Sequence, residues 1–267
     1  VDVRMLTDES VPVDESCGRI LAEDVVAPRD QPPHDRGAMD GYAVRSQDTA
    51  GASASNPIKL RIVGKLFPPD RPETAKIGKG ECAYTSTGAP LPEGSDALIP
   101  VENTRLIEEA IEVVRHVSLG ENVSARGGDV KQGQLLFKSG HVVSPQGIGV
   151  LLSFGIRKIG VVRKPRAGII SVGDELADAY EQIGDKVAND HAYVICELLR
   201  QLGAEPRIFG VVPDDPEMIR TKITEAIRDS DILVTIAGSS VGIRDLVPDV
   251  VSSVGKTVFH GIAITPG

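Results

Sequence analysis

The chain has 267 residues, 41% hydrophobic and 25% charged, a globular balance in a length that exceeds the roughly 100–200 residues of one domain and so predicts more than one packed body. A formal net charge of −9 with no stripe of Lys and Arg argues against nucleic acid as a partner, and an aromatic content of 3% leaves little for stacking platforms. No run approaches the roughly 18 consecutive apolar residues of a membrane span, and the scattered Cys17, Cys82 and Cys196 fit reduced thiols in the cytoplasm.

In chain order, residues 14–26 mix Ile20, Leu21, Ala22 and Val25 with Glu15, Arg19, Glu23 and Asp24, which predicts an amphipathic helix ending before Pro28. Pro28 to Gly41 is proline- and glycine-rich loop. It closes on Gly37-Ala38-Met39-Asp40-Gly41-Tyr42-Ala43-Val44, a run too specific for a linker. From 57 to 117, short apolar runs separated by turns such as Phe67-Pro68-Pro69 and Gly88-Ala89-Pro90 predict a small β-rich module. Ser144-Pro145 supplies a cap and first-turn proline for a helix through Phe154 that stops at Gly155.

Beyond Arg166 the pattern becomes regular. Strands are predicted at 167–172, 206–212, 232–237 and 257–264, with helices at about 190–202, 215–229 and 245–254 between them. This alternation predicts right-handed βαβ crossovers and a parallel α/β sheet, in which ligands bind beyond the carboxyl ends of the strands.

The loops at those ends are the ones to inspect. Gly173-Asp174-Glu175 puts two acids after the first strand; alternatively, Asp174 only caps the next segment and Glu175 is solvated. The third strand runs into Gly238-Ser239-Ser240-Val241-Gly242, then Arg244, Asp245 and a helix start, so backbone N–H groups and hydroxyls converge where a helix dipole favours an anion. Without a Walker A lysine it is no P-loop, and a tight connection is the plain alternative. Arg126-Gly127-Gly128-Asp129, Ser86-Thr87-Gly88-Ala89-Pro90 and the Asp40 loop are each weak alone, because such residues recur in turns. Asp129, Glu175 and Asp245 would supply the hard oxygens Mg²⁺ prefers, if folding gathers them. The five histidines lack zinc spacing, and there is no G-x-S-x-G elbow. Metal-assisted electrostatic catalysis on a phosphate ester or anhydride is the chemistry favoured.

In this order, Gly18-Arg19-Ile20-Leu21-Ala22-Glu23-Asp24, Ala38-Met39-Asp40-Gly41-Tyr42-Ala43, Thr87-Gly88-Ala89-Pro90-Leu91-Pro92, Gly173-Asp174-Glu175-Leu176 and Ser240-Val241-Gly242 resemble the molybdopterin molybdenumtransferase family, also called MoeA or the gephyrin E domain. The resemblance implies a multi-domain α/β plus β chain: a discontinuous helical and extended linking domain at 1–45 and 118–160, an inserted β-rich domain at 46–117, and an α/β molybdopterin-binding domain at 161–267. The family's C-terminal β domain is absent from this sequence, which reads as a fragment. The implied activity is Mg²⁺-dependent insertion of molybdate or tungstate into adenylylated molybdopterin with release of AMP. The implied assembly is a cytoplasmic homodimer with its active site at the subunit interface.

Under the resemblance, Glu175, Asp245 and Asp129 are catalytic and metal-binding acids, and Asp40 joins them from the partner's side. Thr87, Gly88, Gly173, Asp174, Gly238, Ser239, Ser240 and Gly242 bind the pterin substrate. Where many members carry lysines, this chain has Gly261 and Thr265. A non-catalytic pterin-binding or scaffold protein of the same fold is the alternative.

Overall fold

Alternating apolar runs between glycine and proline turns become strands here, as their periodicity requires. In this computed structural model, which describes residues 6–181, 184–236 and 246–259, the chain divides into two compact units. One comprises the residues up to Glu23, Gly140–Leu152 and the chain from Ile156; the other comprises Asp24–Ser139 with Ser153–Gly155. Residues 24–45 and 118–139 thus group with the β-rich segment, because their backbone bonds go to it: Leu98 N–H donates to Glu121 O, and Gly120 N–H to Asp96 O.

The β-rich unit is built on six strands: β1 (Gly41–Val44), β2 (Ile58–Leu66), β3 (Glu81–Thr85), β4 (Ala97–Pro100), β5 (Thr104–Ile107) and β6 (Ala110–Val113). Their spatial order is β4-β1-β3-β2-β6-β5, and only β2 and β3 run parallel. The end of the glycine-rich loop is therefore an inner strand of the sheet. Leu60, Ile99, Ile111 and Val113, all fully buried, form its core.

The other unit carries the predicted parallel sheet, β7 (Arg166–Val172), β8 (Glu205–Val212) and β9 (Ile232–Ile236), in the order β8-β7-β9. Successive residues of β7 point to opposite faces. Ile170 packs with Ile219 and Ile223 of α3 (Pro216–Asp229) and Val250 of α4 (Val247–Val254), and Ile169 packs with Ala192 and Cys196 of α2 (Asp190–Gln201). Helices cover both faces. The first α-helix among the described residues, α1 (Pro145–Ser153), starts where Ser144 Oγ accepts the Gly147 N–H at 3.0 Å. Residues 257–259 are not strand, and 260–264 lie outside the described residues.

One predicted element is absent. Residues 14–26 form a short 3-10 turn (Val13–Glu15), isolated bridges and the strand pair Val25–Val26. Gly18 takes φ +76°, and the backbone bonds go to distant chain: Gly18 N–H to Val143 O, Leu21 N–H to His141 O, Ala22 N–H to Gly160 O. Long-range pairing satisfies the donors that a helix would have used, so helical spacing of the apolar residues misled.

Candidate functional site

In the β-rich unit, the two most distinctive runs of the sequence meet. Arg36–Gly37 lies antiparallel to Val123–Ser124. The Gly37 N–H donates to Ala89 O at 3.0 Å, and the Gly88 N–H donates to Gly37 O at 2.9 Å. Asp40 is thereby set beside Thr87, and one of its carboxylate oxygens accepts both the Thr87 N–H (2.6 Å) and the Thr87 hydroxyl (2.7 Å). These donors, the backbone one foremost, hold the Asp40 carboxyl below its ordinary range, so it is an anion at neutral pH. Gly41 is required by close approach: a Cβ there would stand 2.3 Å from Ile99 O and 2.4 Å from Leu98 Cδ2.

The Arg126-Gly127-Gly128-Asp129 run folds against the same segment. Arg126 donates its N–H to Asp35 at 2.7 Å and its Nε to Asp30 at 2.6 Å, and the Asp129 N–H donates to Gln31 O at 3.0 Å. The Gln132 N–H, and then Arg126, lower the Asp30 carboxyl. Asp129 is looser. Its carboxylate lies 3.7 Å from Arg36 and is 68% exposed. Two exposed carboxylates and a hydroxyl thus stand on loops that flank Arg36–Gly37.

In the α/β unit, Gly173-Asp174-Glu175 follows β7 as expected. The Glu175 carboxylate folds back over Gly173, its oxygens 2.7 and 2.8 Å from where a Cβ would stand. Asp174 faces Asp214, which follows β8, and each backbone N–H donates to the other's carboxylate at 3.3 Å. An open cleft of about 480 Å³ lies at these strand ends, bordered by Gly173, Asp174, Asp178, Glu181, Lys186 and Gly210. Below it Ser171, fully buried, donates to Asn189 Oδ1 at 2.7 Å, and the buried Asn189 Nδ2 has no protein partner. The cleft offers carboxylate oxygens and one ammonium, groups that can accept from and donate to a polar ligand.

The sequence-predicted residues therefore separate as follows. Asp40, Thr87, Gly88 and Asp129 belong to the β-rich unit, and Gly173, Asp174 and Glu175 to the α/β unit. Gly238, Ser239, Ser240, Gly242 and Asp245 lie outside the described residues, as do Gly261 and Thr265. Among the described residues, no group of three or more His, Cys, Asp or Glu is placed to hold a metal. Sequence reasoning missed Asp214, Asp178 and Lys186. Asp214 could have been found, because Pro213-Asp214 follows the second strand as Gly173-Asp174 follows the first.

The chain thus carries a parallel α/β unit whose strand ends open on an acid-lined cleft, and a β module whose loops clasp an anionic Asp against a Thr. Comparison with known proteins is more specific. Residues 2–155 match the family described as "MoeA N-terminal region (domain I and II)", and residues 168–267 match "Probable molybdopterin binding domain". A molybdopterin biosynthesis protein of Methanocaldococcus jannaschii is 35% identical over 268 residues, covering 97% of this chain and 65% of that one. The molybdopterin molybdenumtransferase of Staphylococcus aureus is 32% identical over 260 residues, covering 97% and 62%. A crystal structure of the molybdopterin biosynthesis MoeA protein from Pyrococcus horikoshii superposes with a TM-score of 0.89 at 35% identity, covering 98% of this chain and 66% of that one. The chain belongs to the MoeA family and has its fold; it spans somewhat less than two thirds of the length of these relatives.

Proposed function

We propose that the protein works in molybdenum cofactor assembly as a molybdopterin molybdenumtransferase, joining molybdate or tungstate to adenylylated molybdopterin with release of AMP. The Asp40–Thr87 clasp carries this reading, because it ties together the two sequence runs most particular to the family. Asp40 holds the Thr87 hydroxyl proton, which leaves that oxygen free to accept a hydrogen bond from ligand. Glu175, Asp129 and Asp245 would hold Mg²⁺, with Asp174 beside them at the pterin substrate, and the metal would neutralise charge on the phosphoanhydride. The main-chain donors of Gly238 to Gly242 hold phosphate, with Ser239 and Ser240 as hydroxyl partners.

On this reading the protein is a cytoplasmic homodimer whose active site takes Asp40 and Thr87 from one subunit and Glu175 from the other. Mixing separately inactive Thr87→Val and Glu175→Ala proteins tests this. After dissociation and reassociation at equal amounts, AMP release should return to about a quarter of the unmodified rate, since half the dimers carry one intact site. Mixtures as inactive as either parent protein would overturn the shared site. The two catalytic-site variants should keep the unfolding midpoint of the parent chain.

A further inference from the structure

The six-stranded sheet curls around a cavity of about 700 Å³, for Tyr42 on β1 and Leu106 on β5 both line it although three strands intervene. That volume suits a small-molecule ligand. Of the chain's four tyrosines and five phenylalanines, Tyr42, Tyr84 and Phe67 border this one space. Tyr42 and Tyr84 are cross-strand partners with ring centroids 5.8 Å apart at 77°, and Phe67 stands 5.8 Å from Tyr84 at 48°. Tyr42 is nearly buried, whereas Phe67 is 48% exposed, an aromatic face at the mouth that the core does not account for.

The rim is charged and unpaired. Lys65, Glu108 and Glu109 line the cavity, and no ion pair engages any of them among the described residues. Glu108 stands first in the two-residue turn between β5 and β6 with φ +51°. Glycine adopts that conformation freely and glutamate does not, so a carboxylate occupies a position where backbone stability alone favours glycine.

We propose that this cavity is a second ligand site, separate from the acid crevice of the α/β unit, for a flat heterocycle built on a 2-amino-4-oxopyrimidine ring and carrying an anionic substituent. Guanine nucleotides and pterin phosphates share that chemistry. Phe67, exposed at the mouth, provides a stacking face beside Tyr84. A carboxylate only accepts hydrogen bonds, so Glu108 selects an edge on which a ring N–H and an exocyclic amine stand side by side. Lys65 pairs with the anionic substituent and repels a simple cation that the aromatic rings would otherwise attract. Adenine lacks the paired donor edge. The inference does not depend on the proposed transferase activity.

Calorimetric titration of the protein with GMP, neopterin monophosphate and AMP tests it. GMP or neopterin monophosphate should bind at least about tenfold more tightly than AMP, and the tighter of the two identifies the source of the ligand. Phe67→Ala should weaken that binding about tenfold or more. Glu108→Gly should weaken it comparably while leaving the thermal midpoint unchanged or raised, a combination that a merely structural glutamate would not produce. Equal affinity for AMP, no binding of either heterocycle, or binding lost in Glu175→Ala and kept in Phe67→Ala would overturn the site.

Discussion

Gly41 and Asp231 show how single residues set the local structure. At Gly41 a methyl group would press on Ile99 O and Leu98, inside the sheet that presents Asp40. Gly41→Ala should therefore cost about 1–3 kcal/mol or more by overpacking, read as a lower denaturation midpoint. Asp231 is gripped by the Arg163 guanidinium at 2.6 Å through both oxygens and by the Arg166 N–H at 2.8 Å. Arg163 foremost, then Arg166, draws its carboxyl down to about 2 from 3.8. A folded value below the unfolded one means that stability gained from Asp231 is complete above about pH 4 and drains away as pH falls toward 2. Asp231→Asn should flatten the stability profile in that window; an unchanged profile would contradict the ion-pair assignment. Asp40 and Thr87 were both visible in the sequence, but their bond was not, because 47 positions separate them and long-range pairing, Gly41 with Thr85 and Gly37 with Gly88 and Ala89, brings them together.

The elements of the α/β unit were the most legible, because caps and periodicity agree there. Asp215 accepts the N–H groups of Glu217 and Met218, with Pro216 at the first helical position, and the helix begins where such a pattern predicts. Asp215→Ala should cost about 1 kcal/mol in an unfolding titration. The strands β7, β8 and β9 read correctly because their continuous apolar runs are those of a sheet buried on both faces. At 14–26 the same reading failed. Helical spacing there is incidental, and tertiary partners at Val143, His141 and Gly160 decide the conformation. Asp214 obeys the rule that exposed Asp174, but the second strand is followed by Pro213-Asp214 without the glycine that marks the loops after the first and third strands.

At the scale of the whole molecule, composition bounded the classes of function without locating the sites. A low aromatic count argued against stacking surfaces, yet the sheet collects Tyr42, Tyr84 and Phe67 around one cavity. Counts do not register placement. The motifs pointed to the family, and both family regions match across this chain. They could not show that Asp129 and Glu175 would fall in different compact units, because that division depends on long-range contacts. The proposed chemistry rests on acids from both, and one measurement tests it most directly: AMP release from adenylylated molybdopterin with Mg²⁺, with and without molybdate, by the protein and its Glu175→Ala variant. Release that requires molybdate and falls by about 100-fold or more in the variant is the predicted result. Tight ligand binding with no release by the unmodified protein would contradict the transferase and leave a pterin-binding or scaffold protein of the same fold.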